Sequence, residues 1–200
     1  MTMMPWRWSA LALLLATVGC QATPPAAQTS SDDVMETTLP PEGEILQAAL
    51  AEAEASDWCD GFFEPEVAAS SSQVYVVGDR ALVEVLCANA AYQSVYAYAA
   101  MSPDGTLQPL TLDMFYPDDG GNFQRVSEPT VGGLADFDAT QGQLTIFSKA
   151  RGLGDCGSLA TYRWTGQALD LETYRYQTCN DDPNSPQTAP DPANFPQIYP

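Results

Sequence analysis

The sequence contains no histidine, a single lysine and only seven basic residues among 200. Without histidine the chain cannot build the usual Ser-His-Asp or Cys-His hydrolase arrangements, and it lacks the commonest zinc ligand. The 26 acidic residues give a net charge of −19, and this field repels the phosphate backbone of nucleic acids. The sequence therefore excludes nucleic acid as a partner and predicts no cofactor, no metal site and no enzymatic activity.

The N-terminal apolar run is too short to span a bilayer as a stable helix. Residues 1–19 carry one charge, Arg7, followed by a short apolar stretch, as signal peptides do. The segment ends in Thr17-Val18-Gly19-Cys20, which resembles a bacterial lipobox with Thr17 where leucine is usual. The resemblance implies that Cys20 is acylated, so we expect a lipid-anchored protein of the cell envelope whose membrane contact comes from the lipid alone. An ordinary signal peptide cleaved nearby is the alternative.

Two segments have compositions that oppose a packed core. Residues 20–41 are rich in Pro, Ala, Thr and Ser, and they are predicted to form a flexible tether. Residues 180–200 contain six prolines and are predicted to be extended or disordered. Within that tail, Phe195, Ile198 and Tyr199 could attach the chain to a sheet. Residues 42–179 are therefore the predicted folded domain.

The start of the domain has the periodicity of a helix. From Glu42 to Ser56, apolar residues such as Ile45, Ala49 and Ala53 recur on one helical face. Acidic residues in the first turn suit the positive end of the helix dipole. The aromatic and acidic residues 57–64 are interpreted as the exit of this helix, with core aromatics around a disulfide.

The rest of the domain predicts antiparallel β-structure. Aromatic and β-branched runs alternate with turn sequences such as Gly78-Asp79-Arg80 and Ser102-Pro103-Asp104-Gly105. We expect strands at 74–77, 81–87, 92–101, 107–115, 143–148, 159–164 and 168–176. Together with one N-terminal helix they predict a mainly β fold, an antiparallel sandwich or open barrel stapled by disulfides.

Four cysteines remain besides Cys20, and an even number in an exported protein predicts two disulfides. Three pairings are available. We favour Cys59–Cys87 with Cys156–Cys179, because each pair then brackets one half of the domain. Each would close a loop of about 25 residues, worth roughly 3–4 kcal/mol in the loop-entropy model.

A glycine-rich stretch, residues 149–157, joins two predicted strands. Its Gly152, Gly154 and Gly157 match the spacing of the dinucleotide-binding pattern, but that motif requires a following helix, whereas Ser158–Gly166 is typical of a strand. The pattern favours a turn pinned by a disulfide and braced by an ion pair. An interaction corner that binds an envelope protein or glycan is the functional alternative, formed by Arg151, Gly152, Gly154, Asp155 and Gly157.

The residues around this stretch also resemble a known family. The run 136–144 and the run 147–157 are similar to the C-terminal signature of a secreted bacterial family, domain of unknown function 1176. The pattern continues with Tyr162, Trp164-Thr165-Gly166, Leu169, Leu171 and Cys179. The likeness covers about Ala135–Cys179, with Ala150 and Asn180 where the family has glycine. It implies an envelope protein and supplies no reaction.

The abundant carboxylates leave two other functions open. A glycoside hydrolase needs two carboxyl groups, for which the candidates are Asp60, Glu64, Glu66, Asp118, Asp119 and Asp155. The acidic loops at 118–122 and 181–182 lack the EF-hand spacing for calcium, and they are interpreted as turns. The sequence favours a non-enzymatic binding domain. An inhibitor of a basic envelope enzyme of the lysozyme type and a carboxylate-based glycan hydrolase are the alternatives.

Overall fold

The computed structural model describes residues 38–180 and 189–200. The predicted signal peptide, Cys20 and residues 21–37 of the predicted tether lie outside the described residues. Two helices, α1 (Glu42–Ala55) and α2 (Pro65–Ser71), precede the strands. The strands are β1 (Gln73–Val77), β2 (Arg80–Asn89), β3 (Ser94–Met101), β4 (Leu107–Leu110), β5 (Leu112–Pro117), β6 (Phe123–Glu128), β7 (Thr130–Asp138), β8 (Gln143–Lys149), β9 (Gly157–Trp164), β10 (Leu169–Gln177) and β11 (Gln197–Tyr199).

Nine strands form one antiparallel sheet in the order β1-β2-β3-β7-β8-β9-β10-β11, with β4 beside β3. The first half of β7 pairs with β3 and its second half with β8, so this strand joins the two parts of the sheet. Strands β5 and β6 form a separate hairpin. The sheets are not closed into a barrel, and the prediction of a mainly β, antiparallel fold is confirmed.

The large sheet curls until its two parts face each other. Tyr75 of β1 and Phe137 of β7 are three strands apart in sheet order, about 14 Å in a flat sheet. Their ring centroids are nevertheless only 4.9 Å apart. At the junction Gly133 leaves no room for a side chain, because a Cβ there would lie 2.6 Å from Cγ2 of Ile146. The curl therefore encloses an apolar core between the two parts.

Strand β2 separates two cores with different compositions. On one face, small side chains pack under the helices in what we call the helical core, which includes Ala49, Ala53, Ala81, Val83, Val85, Cys87, Ala97 and Ala99. On the other face, larger side chains form the aromatic core, which includes Leu82, Leu86, Tyr98, Phe137, Tyr162, Trp164, Leu171 and Tyr174. The alternation of side chains along β2 assigns successive residues to the two cores.

Several predicted elements differ from the structure. The prediction of one helix is wrong, because Pro65–Ser71 forms a second helix of seven residues, too short to show a helical periodicity. The single strand predicted at 107–115 breaks at Thr111, where the chain leaves the large sheet for the hairpin. Strands β6 and β7 were not predicted: β6 is largely exposed and polar, and β7 contains two adjacent glycines.

Both disulfides join the cysteines in the pairing that the sequence favoured. Cys59 is bonded to Cys87 and Cys156 to Cys179, with Cα atoms 5.6 and 4.9 Å apart. The end of the tail is attached to the domain, since Phe195 is 1% exposed and β11 pairs with β10. Within the described residues no helix is long and apolar enough to cross a membrane.

Candidate functional site

The glycine-rich stretch at 149–157 forms a tight corner between β8 and β9. The amide of Ala150 donates to the carbonyl of Cys156 at 3.1 Å, and the amide of Gly154 donates to the carbonyl of Arg151 at 3.0 Å. Gly157 has φ +132°, and a Cβ there would overlap the carbonyl oxygen of Ser148. Because L side chains rarely adopt this backbone conformation, the corner requires glycine at this position.

An ion pair braces the corner, as the sequence predicted. Nε of Arg151 donates to Oδ1 of Asp155 at 2.8 Å, and Nη2 donates to the second carboxylate oxygen. The same Nη2 donates to the carbonyl of Asn180 at 3.0 Å, next to the disulfide at Cys179. The hydrogen bonds from Arg151 hold the pKa of Asp155 below its ordinary value. The guanidinium therefore links the corner to the chain that follows β10.

The loop between β2 and β3 supports the corner from the other side. The amide of Lys149 donates to Oε1 of Gln93 at 2.9 Å, and the hydroxyl of Tyr92 donates to the carbonyl of Ala150 at 3.4 Å. The tip of the corner, around Gly152 and Leu153, is exposed. The backbone polar groups at the base of the corner are thus already used within the protein.

A groove of about 180 Å³ begins where the corner joins the sheet. The hairpin forms one wall, and β8, β9 and β10 form the other. Its aromatic residues are Phe115 and Tyr116 from the hairpin and Tyr174 and Tyr176 from the sheet, and Ser148, Lys149 and Ala150 complete the lining beside the corner. We call this the tyrosine groove. It shares Lys149, Ala150 and Gly157 with the corner, so the two features form one continuous surface.

Two buried tyrosines hold the hairpin against the sheet. The hydroxyl of Tyr162 donates to the carbonyl of Asp113 at 3.0 Å, and that of Tyr174 donates to the carbonyl of Phe115 at 3.3 Å. Burial raises the pKa of both phenols, so they remain protonated donors at neutral pH. The Phe115 ring also lies 5.3 Å from the ring of Tyr174 and 5.6 Å from that of Tyr199. The tyrosine groove is therefore formed before any ligand arrives.

The groove presents tyrosine rings that are exposed or half-buried. Tyr116 is 45% exposed, and Tyr176 is half-buried with its ring 5.2 Å from Phe123 in an edge-on arrangement. Within the described part of the chain, no carboxylate forms a salt bridge with Lys149, and no Asp or Glu lines the groove. The strand register places the side chain of Lys149 with Phe147 on the opposite face of β8, so the groove presents aromatic rings and hydroxyls.

Comparison with protein families identifies the chain. The model of the family described as "Protein of unknown function (DUF1176)" matches residues 17–184. The protein belongs to this family. The match extends well beyond the likeness at Ala135–Cys179 and covers the helices, the corner and the tyrosine groove. Comparisons with curated proteins and with solved structures gave no match.

In this DUF1176 protein the six predicted hydrolase carboxylates lie in three separate places. Asp60, Glu64 and Glu66 lie on the helical side, Asp118 and Asp119 in the hairpin turn, and Asp155 in the corner. Asp118 accepts hydrogen bonds from the amides of Gly120 and Asn122, and the bonds from Asn122 lower its pKa. Hydrogen bonds of this kind are typical of a turn, which agrees with the interpretation of the 118–122 loop from the sequence. Across the described ranges, no three His, Cys, Asp or Glu side chains are placed to hold a metal ion.

Among the six candidate carboxylates, Glu64 and Glu66 are the pair that most resembles a glycosidase site. Both line a hollow of about 500 Å³ beside Phe63 on the helical side. Both side chains are exposed, whereas the general acid of a glycosidase needs a pKa raised by an apolar environment. The hollow therefore lacks the environment that this chemistry requires.

Glu84 is a carboxyl group in an apolar environment, and the sequence interpretation missed it. It lies on β2, is 5% exposed, faces the aromatic core and accepts a hydrogen bond of 2.9 Å from the hydroxyl of Tyr98. Burial raises the pKa of Glu84, and the bond from Tyr98 partly opposes that change. Burial likewise raises the pKa of Tyr75 to about 12. The signal for a buried carboxyl group in the sequence was a single charged residue within the apolar run 81–87.

The groove tyrosines had a weaker signal in the sequence. Tyr174 and Tyr176 stand two residues apart in a predicted strand and therefore share one face of it. Tyr116 precedes the acidic turn of the hairpin. Their meeting depends on where the hairpin lies on the sheet, which follows from contacts between residues 49 and 59 positions apart and not from a local pattern.

Proposed function

We propose that this DUF1176 protein is a lipid-anchored domain of the cell envelope that binds an envelope component without catalysing a reaction. The tyrosine groove and the adjoining corner are its binding surface. The observation that carries the proposal is the preformed groove, which is lined by exposed tyrosine and, among the described residues, by no carboxylate. The disulfides support a location outside the cytosol, because such bonds persist in oxidising compartments.

The lipid anchor is tested at Cys20. Mass spectrometry of the mature protein should find a diacylglyceryl group on Cys20 as the first residue, and cell fractionation should place the protein with membranes. Replacement of Cys20 by Ser should release it into the soluble fraction. A wild-type protein that is soluble and cleaved at another residue would contradict the anchoring part of the proposal.

The binding surface is tested with the acylated protein in detergent. Wild type should co-sediment with isolated cell-wall sacculi or with envelope protein complexes, and Tyr116→Ala should reduce this by about tenfold because it removes an exposed ring from the groove. Phe62→Ala is the matched control, since Phe62 is 56% exposed on the helical side. Equal losses in the two variants would place the binding surface elsewhere.

A second candidate, inhibition of a basic envelope enzyme, has its own observation. Residues 38–79 contain nine acidic residues, all exposed, and no basic residue. Such a surface attracts cationic proteins and accelerates their association at low salt. Lysozyme activity should then fall in the presence of the protein, and Glu52→Gln with Glu54→Gln on α1 should weaken the effect. Activity that is unchanged across several basic muramidases would eliminate this candidate.

A further inference from the structure

The floor of the tyrosine groove carries hydroxyl groups from two neighbouring strands. Ser148 pairs with Ser158 across β8 and β9, and Ser158 pairs with Tyr176 across β9 and β10. Paired residues of antiparallel strands project from the same face of a sheet, so these three side chains lie side by side. Tyr174 projects from that face too, and its hydroxyl donates to the hairpin. The sheet face beneath the hairpin therefore presents two serine hydroxyls to the groove.

The walls of the groove offer aromatic rings that end in hydroxyls. Tyr116 comes from the hairpin and is exposed, whereas Tyr176 comes from the sheet and is half-buried. Neither hydroxyl donates to another described residue. Burial raises the pKa of Tyr116, and the nearby carboxylate of Glu128 raises it further, so this phenol is a protonated donor at neutral pH. The walls thus combine apolar surface with hydrogen-bonding tips.

No charged group of the described residues is directed into the groove. A Cβ at Gly154 would lie 3.6 Å from Cε of Lys149 and 3.7 Å from Cε1 of Phe147, so both side chains lie on the face of β8 turned away from the groove. No Asp or Glu of the described residues lines it. A charged ligand would therefore lose hydration without gaining a partner, and an acidic one would also be repelled by the net charge of −19. These conditions favour an uncharged ligand.

The size and backbone pairing of the groove argue against a peptide. A volume of about 180 Å³ is below the range of about 300–1,000 Å³ for drug-sized ligands, so it suits one ring of a longer chain. An extended peptide needs a free strand edge for its backbone. Strand β10 is paired with β9 and β11, and two carbonyls of β5 already accept bonds from Tyr162 and Tyr174. The groups that remain for a ligand are rings and hydroxyls.

We propose that the tyrosine groove binds one uncharged pyranose ring of a β-linked glycan. A pyranose whose substituents are equatorial, such as β-glucose, has apolar C–H groups on both faces and hydroxyls around its edge. Its faces lie against Tyr116 and Tyr176, and its edge hydroxyls bond to Ser148 and Ser158 on the floor. This rests on the proposed function, since it names the ligand class of the same surface.

The test compares two short glycans that share rings and linkage and differ in charge. Cellotetraose is titrated calorimetrically into the acylated protein at low salt, in a detergent without sugar groups. The tetrasaccharide in which every C6 is oxidised to a carboxylate is titrated in the same way. Cellotetraose should bind at least about tenfold more tightly than the acid, because the carboxylates find no partner in the groove and are repelled by the acidic protein.

Two variants at one position separate the ring from its hydroxyl. Tyr116→Ala should lower affinity for cellotetraose about tenfold, whereas Tyr116→Phe keeps the ring and should lower it by no more than about threefold. Phe62→Ala is the control, because it removes an exposed ring on the helical side, and it should leave affinity unchanged. Equal losses with Tyr116→Phe and Tyr116→Ala would overturn the stacking of the sugar on this ring. A loss with Phe62→Ala equal to that with Tyr116→Ala would overturn the assignment to the groove.

The outcomes distinguish this inference from the proposed function. Equal affinities for cellotetraose and its acid overturn the inference, because the groove would then not select an uncharged ring. Failure of both glycans to bind, with sedimentation on envelope material still sensitive to Tyr116→Ala, overturns the ligand class and leaves the binding function in place. Failure of both assays overturns both proposals.

Discussion

The two disulfide-bonded regions of this protein have opposite characters. Around Cys59–Cys87 both cysteines are fully buried, and the core beneath the helices consists mostly of Ala and Val. Around Cys156–Cys179 the second cysteine is only half-buried, and the neighbouring groove is lined by tyrosines. Residues 38–79 have nine acids and no base, whereas residues 120–180 have six acids and five bases.

On the proposed function, this difference separates the region that stabilises the fold from the region that binds a ligand. Small side chains let α1 approach the sheet closely, so the helical layer contributes packing and presents an exposed, acidic outer face. In the other region fewer atoms of the disulfide are buried, and the disulfide holds the corner beside the tyrosine groove. The comparison predicts that equivalent changes in the two regions affect different measurements.

The largest effect is expected from removing the disulfides one at a time. The closed loops span 28 and 23 residues, so loop entropy predicts about 3.5 kcal/mol for either one. Cys59→Ala with Cys87→Ala also removes two fully buried sulfur atoms, which adds about 1–2 kcal/mol, whereas in the other disulfide only Cys156 is fully buried and the addition is about half as large. Urea unfolding followed by circular dichroism should therefore show a loss of about 5 kcal/mol for the first pair and about 4 kcal/mol for Cys156→Ala with Cys179→Ala.

The two double variants should have the opposite order in ligand binding, where the loss of Cys156–Cys179 has the larger effect. Loss of Cys156–Cys179 frees the corner that adjoins the tyrosine groove, so co-sedimentation with envelope material should fall although most of the fold remains. Loss of Cys59–Cys87 should leave affinity near the wild-type value wherever the protein is still folded. Parallel losses of stability and affinity in both variants would contradict the separation of the two roles.

A second test lies within the corner itself. Gly157→Ala forces a Cβ onto the carbonyl of Ser148 at a φ of +132°, and strain with overpacking should cost about 3 kcal/mol. Gly152→Ala is the matched control, because its Cβ would meet Tyr92 at an ordinary 3.7 Å and its φ lies outside the left-handed region. Its free energy of unfolding should change by less than about 0.5 kcal/mol. Similar changes in the free energy of unfolding of both variants would mean that the backbone around residue 157 shifts to accommodate a Cβ.

The features predicted from sequence are those that local patterns determine. Helix α1 follows from the spacing of Ile45, Ala49 and Ala53, and the disulfides follow from four cysteines in a chain that the sequence predicts to be exported. The brace between Arg151 and Asp155 follows from their spacing across a glycine-rich turn. Each of these features depends either on residues that are close together in the sequence or on the number of cysteines.

The features that were missed depend on distant contacts. Strand β6 has no apolar alternation because the hairpin exposes it, and β7 contains Gly132 and Gly133 because it passes between two parts of a curled sheet. The tyrosine groove depends on bonds from Tyr162 and Tyr174 to a hairpin 49 and 59 residues away. No periodicity in the sequence encodes which sheet face that hairpin covers.

The third test asks whether the separation between the two regions extends to charge. The acids of the helical layer are exposed, whereas Glu84 lies in the aromatic core with Tyr98 as its hydrogen-bond donor. Burial raises the pKa of Glu84 in the folded protein, so the folded state holds this proton more tightly than the unfolded state. The resulting stability is complete below the ordinary glutamate pKa, and it is lost as the pH rises through the raised value.

Replacing Glu84 with Gln should remove this dependence, since the amide oxygen still accepts the bond from Tyr98 but carries no charge to bury. The free energy of unfolding of Glu84→Gln, relative to wild type, should therefore increase from pH 4 to pH 8 by about 1 kcal/mol or more. Glu54→Gln on the exposed face of α1 should show no such trend. A difference between Glu84→Gln and wild type that stays constant with pH would mean that Glu84 is solvated in the folded protein. The contrast between a solvent-exposed acidic layer and an aromatic core that excludes water would then not apply to Glu84.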